Sequence, residues 1–148
     1  MRLRTVFLLS LSIMLFACKN TPAGQMQKTA EAADLPKDFL AFYQQFHTDT
    51  AFQMAHIDWP LKGEKSEMVD STGEKKVLTE WEPQNWTLFQ MPDLSDVGLK
   101  RSFETLGDAL IIERLQYPMV NYGLERQFFK TDDGEWRLIY YAEMQELK

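Results

Sequence analysis

The chain has 148 residues, 22 acidic and 16 basic, and a formal net charge of −6. That balance argues against nucleic-acid binding, because phosphate contact requires clustered Lys and Arg. Cys18 is the lone cysteine, which rules out an intrachain disulfide framework and any multi-thiolate metal site, so stability must come from a core to which 13% aromatic residues contribute.

In chain order, the first element is a targeting segment. Arg2 and Arg4 give a positive start, thirteen uncharged and mainly apolar residues follow (5–17), and small Ala17 precedes Cys18. This is the charged, apolar and cleavage layout of a secretory signal. A spanning helix needs roughly 20 apolar residues, so a permanent transmembrane helix is the weaker reading. Leu15-Phe16-Ala17-Cys18 resembles the lipobox of bacterial lipoproteins. The resemblance implies cleavage between Ala17 and Cys18 and a diacylglycerol on the Cys18 sulfur, so the membrane becomes a partner through the lipid. Each buried methylene contributes about 0.8 kcal/mol, and two or three acyl chains anchor firmly. Lys19 follows, not the Asp that tends to retain lipoproteins of enteric-type bacteria at the inner membrane, so the outer membrane of the cell envelope is the expected destination. Three regions result: a signal peptide at 1–17, the lipidated Cys and a flexible tether at 18–34, and a single domain at 35–148. The tether residues 19–34 are small and polar, with no apolar period. Without Arg2 and Arg4 the balance is 14 basic against 22 acidic, a net of −8.

Leu35-Pro36 opens the domain, with Asp34 as the expected N-cap. Phe39, Phe42, Tyr43 and Phe46 recur at helical spacing and predict one apolar helix face, read as core. Asp49 is placed to cap a second short turn through Phe52. From Ala55 to Leu61 the period becomes two, which predicts a strand, near an edge because Pro60 cannot donate to a ladder. Met68–Asp70 and Val77–Trp81 predict a hairpin around Ser71-Thr72-Gly73-Glu74, and residues 81–86 a tight helical turn or loop. Residues 92–98 are expected as loop and Leu99–Phe103 as a strand. Three longer strands follow at about 108–117, 122–130 and 135–144. Asp132-Asp133-Gly134 suits a three-residue hairpin loop with Gly in the left-handed region. That register sets Phe128 opposite Leu138 and Arg126 opposite Tyr140, so that Trp136, Leu138, Tyr140, Ala142 and Met144 share a face. The expected fold is α+β, an N-terminal helix packed on a curved antiparallel sheet.

The run from Asp38 to Asp49, the pair Phe52-Gln53, the segment His56-Ile57-Asp58-Trp59-Pro60-Leu61 and the closing Gly134-Glu135-Trp136-Arg137-Leu138 resemble an uncharacterised family of small lipoproteins, domain of unknown function 4348. The chain departs from that pattern at His56, where such domains often carry Arg. The resemblance covers roughly Leu35 to Met144. It implies the cone-shaped fold of nuclear transport factor 2, in which a curved sheet wraps helices and leaves a pocket at the open end. Relatives of that fold include isomerases, dehydratases and binding modules, so the fold implies a pocket and no particular reaction.

Few residues carry chemistry. His47 with Asp49, and His56 with Asp58, are His–Asp pairs of the kind that perform acid–base work. Alternation, however, turns His56 and Asp58 away from Ile57, Trp59 and Leu61, toward solvent. No His-x-x-x-His or other ligand spacing occurs, so no metal site is expected. Gly63-Glu64-Lys65-Ser66 lacks the upstream glycine of a phosphate loop, and no Gly-x-Ser-x-Gly elbow is present. Trp59, Trp81, Trp86 and Trp136 read first as packing and second as the lining of a pocket for a sugar or aromatic ligand. The strongest pair is Glu113 and Arg126. Glu113 stands among Ala109, Ile111, Leu115 and Tyr117 on one strand face, and Arg126 interrupts Leu124 and Phe128 on the next. A four-residue connection at 118–121 sets the two opposite each other. Charges are seldom buried unless paired. The pair reads as a structural bridge or, with Tyr140, as the floor of a ligand pocket. The expected function is non-enzymatic, a cell-envelope domain that binds a small ligand or an envelope protein, with no catalytic residue or cofactor assigned. The rival is an isomerase or hydrolase of a small apolar substrate that uses acidic and His residues in the cone.

Overall fold

The computed structural model describes residues 28–30, 34–70, 73–90, 99–117, 119 and 122–145. The expected signal peptide, Ala17, Cys18, the 92–98 loop and the Ser71-Thr72 hairpin tip lie outside the described residues. The elements are β1 (Lys28–Ala30), α1 (Lys37–Thr48), α2 (Thr50–Ala55), β2 (Ile57–Asp70), β3 (Gly73–Trp81), β4 (Lys100–Leu106), β5 (Leu110–Tyr117), β6 (Tyr122–Lys130) and β7 (Trp136–Gln145), with a short 3-10 turn at Pro83–Asn85. Among the described residues, seven strands form one sheet in the order β1-β4-β5-β6-β7-β2-β3. Both helices precede the long strands, and the sheet curves around them.

The helix face forms as its spacing predicts. Phe39, Phe42, Tyr43 and Phe46 are all buried and pack with Phe103, Ile111, Phe128, Trp136 and Leu138 from the sheet. Phe39 meets Trp136 edge-on at 5.0 Å and Phe128 at 5.5 Å. The N-terminal cap differs from expectation. Pro36 is the N-cap and no side chain caps the helix. The fixed φ of Pro36 suits a helix entrance, and Asp34 is left two residues before the cap position. Asp38 instead ties the first turn to the last hairpin: its Oδ2 accepts from Lys130 Nζ at 2.6 Å and from Trp136 Nε1 at 3.1 Å. Asp49 caps α2 by accepting from Phe52 N at 3.0 Å, and the helix continues to Ala55.

The sheet is mixed, not antiparallel throughout, because β2 runs parallel to β7. β2 is therefore interior, between β7 and β3, and Pro60 is not on an edge strand. Its missing N–H is tolerated for another reason. Register with β7 slips between Ile57 and Lys62, and pairing with β3 begins only at Leu61, so Pro60 joins neither ladder. β2 is also longer than expected and absorbs Gly63-Glu64-Lys65-Ser66 as plain strand. Gly63 sits where β2 crosses Tyr141: a Cβ there would lie 1.6 Å from the Tyr141 carbonyl oxygen and 2.7 Å from the Trp81 ring. Only glycine permits that approach. Within the expected tether, Lys28–Ala30 pairs with Phe103–Thr105 of β4, whose outer edge offers unpaired backbone groups.

Candidate functional site

The final hairpin turns as its loop chemistry predicts. Gly134 has φ +89°, Gly134 N–H donates to Thr131 O, and Phe128 pairs with Leu138. One step further the pairing shifts, to Gln127 with Tyr140 and Arg126 with Tyr141, so Ile139 is an extra, bulged residue. A bulge inverts the facing of every later side chain on its strand. Tyr140 therefore leaves the face of Arg126, contrary to expectation, and emerges on the outer face beside Lys62 and Glu64, while Tyr141 takes the inner position.

Glu113 and Arg126 meet as their register predicts. Both side chains are 0% exposed; Glu113 Oε2 accepts from Arg126 Nε at 2.8 Å and lies in ion-pair contact with Nη2 at 2.5 Å. Two residues of α1 complete the cluster. Tyr43 Oη donates to Glu113 Oε1 and accepts from Arg126 Nη2 at 3.2 Å. His47 Nδ1 lies 2.6 Å from the Tyr43 carbonyl oxygen, which can only accept, so the proton is on Nδ1. Nε2 is thus the unprotonated nitrogen and accepts from Arg126 Nη1 at 2.9 Å. Burial foremost, and then the Arg126 charge, hold the His47 pKa down at about 4. Burial, reinforced by the charge of Glu113, pushes the Tyr43 hydroxyl well above its ordinary range.

The fourth side of Arg126 is covered by Phe89, whose ring centroid is 4.0 Å from the guanidinium carbon. Gln53, 2% exposed, fixes that ring. Its Nε2 donates to Phe89 O at 2.9 Å and to Phe46 O at 2.8 Å, and its Oε1 accepts from Phe89 N at 2.9 Å. The same Oε1 lies 3.5 Å from Trp86 Nε1. One glutamine thus holds the segment after the 3-10 turn against the sheet.

That segment forms one wall of a cleft of about 200 Å³. Trp81, Trp86, Phe89 and Tyr141 line it, with Trp86 edge-on to both Trp81 and Tyr141, and Glu143 adds a carboxylate. The four tryptophans therefore divide: Trp136 is core, Trp59 packs on the core with Nε1 on Met54 O, and Trp81 and Trp86 line the cleft. A broader hollow of about 690 Å³ lies on the outer face, where Tyr140 emerges. Its rim is Lys62, Glu80 and Leu78, the last 81% exposed, and it has no contact with the buried cluster. The inner cleft is the better candidate because a fixed polar network lies directly behind it.

The two His–Asp pairs do not form. His47 turns to Arg126, and Asp49 caps α2. His56 stacks on Phe52 at 3.7 Å and reaches Phe52 O with Nδ1, while Asp58 is exposed. Among the described residues no group of three or more His, Cys, Asp or Glu is placed to hold a metal ion.

Similar folds occur among solved structures. A nuclear transport factor 2-like protein from Bacteroides fragilis superposes with a TM-score of 0.52 and 18% identity, covering 78% of this chain and 50% of that one. A cystatin-like protein from Bacteroides caccae gives 0.51 and 20% identity over 76% of this chain and 79% of that one. The chain spans half the length of the Bacteroides fragilis protein. These likenesses show the fold, an α+β cone of the nuclear transport factor 2-like, cystatin-like kind. No family model and no curated protein matches the chain.

The position of His47 predicts a pH dependence. Its pKa of about 4 in the fold lies below the ordinary value of 6.5. Above pH 6.5 it is neutral in both states; between 6.5 and 4 the unfolded chain takes up the proton and the folded chain resists. Its contribution is therefore lost as pH falls through that window, by about 2 kcal/mol once its partial exposure is allowed for. Denaturant unfolding of wild type and His47→Gln between pH 7 and pH 4 should show wild type losing more stability by that amount. Parallel curves would contradict the assignment.

Proposed function

We propose that this chain is a lipid-anchored module of the bacterial cell envelope that binds a small molecule in the cleft between Trp81, Trp86, Phe89, Tyr141 and Glu143. The observation that carries the reading is the coincidence of an aromatic-walled cleft with a buried polar network that holds one of its walls in place. Concave sites lined by aromatic rings with a few placed polar groups are where small ligands bind. The cone fold supports the same reading, since its open end encloses a pocket. The anchor rests on Leu15-Phe16-Ala17-Cys18 and the charged and apolar segments before it, with the outer membrane as its address. Kinship with domain of unknown function 4348 belongs to the same proposal and rests on the residues around Phe52-Gln53 and Pro60-Leu61.

The rival reading, an isomerase or hydrolase, would require His47 or Glu113 to reach substrate. Both are hydrogen-bonded to Arg126, neither lines the cleft, and Phe89 lies between Arg126 and the cleft. This favours binding over acid–base chemistry through those two groups. Glu113 and Arg126 act as the fixed floor beneath the site and need not touch the ligand.

Two measurements test the proposal. The Cys18→Ser chain should lose incorporation of labelled palmitate and leave the membrane fraction; a variant that still labels and still sediments with membrane would refute the anchor. A library of small metabolites screened by ligand-observed NMR should yield binders to the wild-type domain that weaken at least about tenfold with Trp86→Ala, since a stacked ring contributes on the order of 1 kcal/mol or more. Binders indifferent to that change, or none at all, would refute the cleft.

A further inference from the structure

Trp81, Trp86 and Tyr141 are mutually perpendicular. Their interplanar angles are 83°, 88° and 86°, and their centroids are 5.1 to 6.4 Å apart. Three rings so disposed form a corner. Each ring face carries the negative part of the aromatic quadrupole, so a positive group seated near such a corner is attracted from more than one side. Among the described residues lining the cleft, Glu143 carries the only charge, and it is a carboxylate. Ser66 N–H holds its Oε2 at 3.1 Å, which fixes the group in place. The nearby charge of opposite sign, Arg126, lies behind Phe89 and is matched by Glu113. It therefore does little to cancel the field of Glu143. The chain as a whole is acidic, which raises the local concentration of cations around it.

We propose that the cleft binds a small organic cation of the methylated or quaternary ammonium class, held over Trp81, Trp86 and Tyr141 and neutralised by Glu143. This rests on the cleft being a ligand site. An anionic ligand would meet Glu143 with no basic lining residue to offset it. A neutral sugar would use the rings and donate hydroxyls to the carboxylate, but would leave its negative charge unneutralised. The volume of about 200 Å³ suits a compact headgroup, not an extended chain.

Choline and its neutral isostere, with carbon in place of the ammonium nitrogen, separate charge from shape. Titrated into the full mature chain and followed by tryptophan fluorescence and calorimetry, choline should saturate and bind at least about tenfold more tightly than the isostere. Glu143→Gln, which keeps an acceptor for Ser66 N–H, should weaken choline about tenfold and leave the isostere unchanged. Equal binding of the two compounds to wild type would overturn the cation assignment while leaving the cleft as a site for neutral ligands. Choline binding that survives both Glu143→Gln and Trp86→Ala would overturn it by moving the ligand elsewhere. No binding of choline would overturn it directly, and the metabolite screen against Trp86→Ala then decides separately whether the cleft binds anything.

Discussion

A fully buried guanidinium places a demand on everything near it. Removing such an ion from water costs several kcal/mol, and arginine cannot shed its charge by losing a proton. In this domain Arg126 is compensated by a carboxylate across the β5–β6 ladder, by a phenol and an imidazole from α1, and by an aromatic face from the segment after the 3-10 turn. Each of those partners is in turn held. Glu113 takes a second hydrogen bond from Tyr43, His47 is locked into one tautomer by the carbonyl of its own helix, and Phe89 is clamped at both backbone atoms by Gln53. Helix, sheet and loop thus share one electrostatic centre. A half-satisfied version would be worse than an apolar core, which explains why the contributions come as a set.

The cleft is a by-product of the same arrangement and of one bulge. Ile139 shifts the facing of β7, which removes Tyr140 from the inside and puts Tyr141 there. Tyr141 then makes one wall, and Gly63 of β2 must be glycine to pass its carbonyl. Another wall hangs from Gln53, which touches both Trp86 and Phe89. A single buried amide therefore couples the shape of the cleft to the packing of the helices, and a ligand would meet walls already in position.

Local chemistry carried much of this outcome. The isolated charges of β5 and β6 and the four-residue connection between those strands suffice to pair Glu113 with Arg126, and the Asp133-Gly134 turn likewise pairs Phe128 with Leu138, because hairpin register follows from loop length and alternation. Other features depend on contacts distant in sequence. The bulge at Ile139 has no signature in its residues, and it alone misplaced Tyr140. The parallel pairing of β2 with β7 joins segments about eighty residues apart, so no turn announces it. His47 looked like the partner of Asp49 because the two are neighbours along the chain, whereas its actual partner, Arg126, is 79 residues away. Phe89 lies in a stretch with no period, and its position follows from Gln53, which alternation cannot identify as a clamp. The strand at Lys28–Ala30 depends on the free edge of β4, not on its own composition.

The interdependence of Glu113 and Arg126 is the centre of the account, and a double-mutant cycle measures it directly. Equilibrium urea unfolding of Glu113→Gln, Arg126→Met and the combined variant yields the coupling between the two positions. Each single change should cost about 3–5 kcal/mol, because it leaves a buried group without its partner, and the double should cost far less than their sum. Additive losses, or single losses under about 1 kcal/mol, would show that the two charges do not depend on each other and would contradict the account.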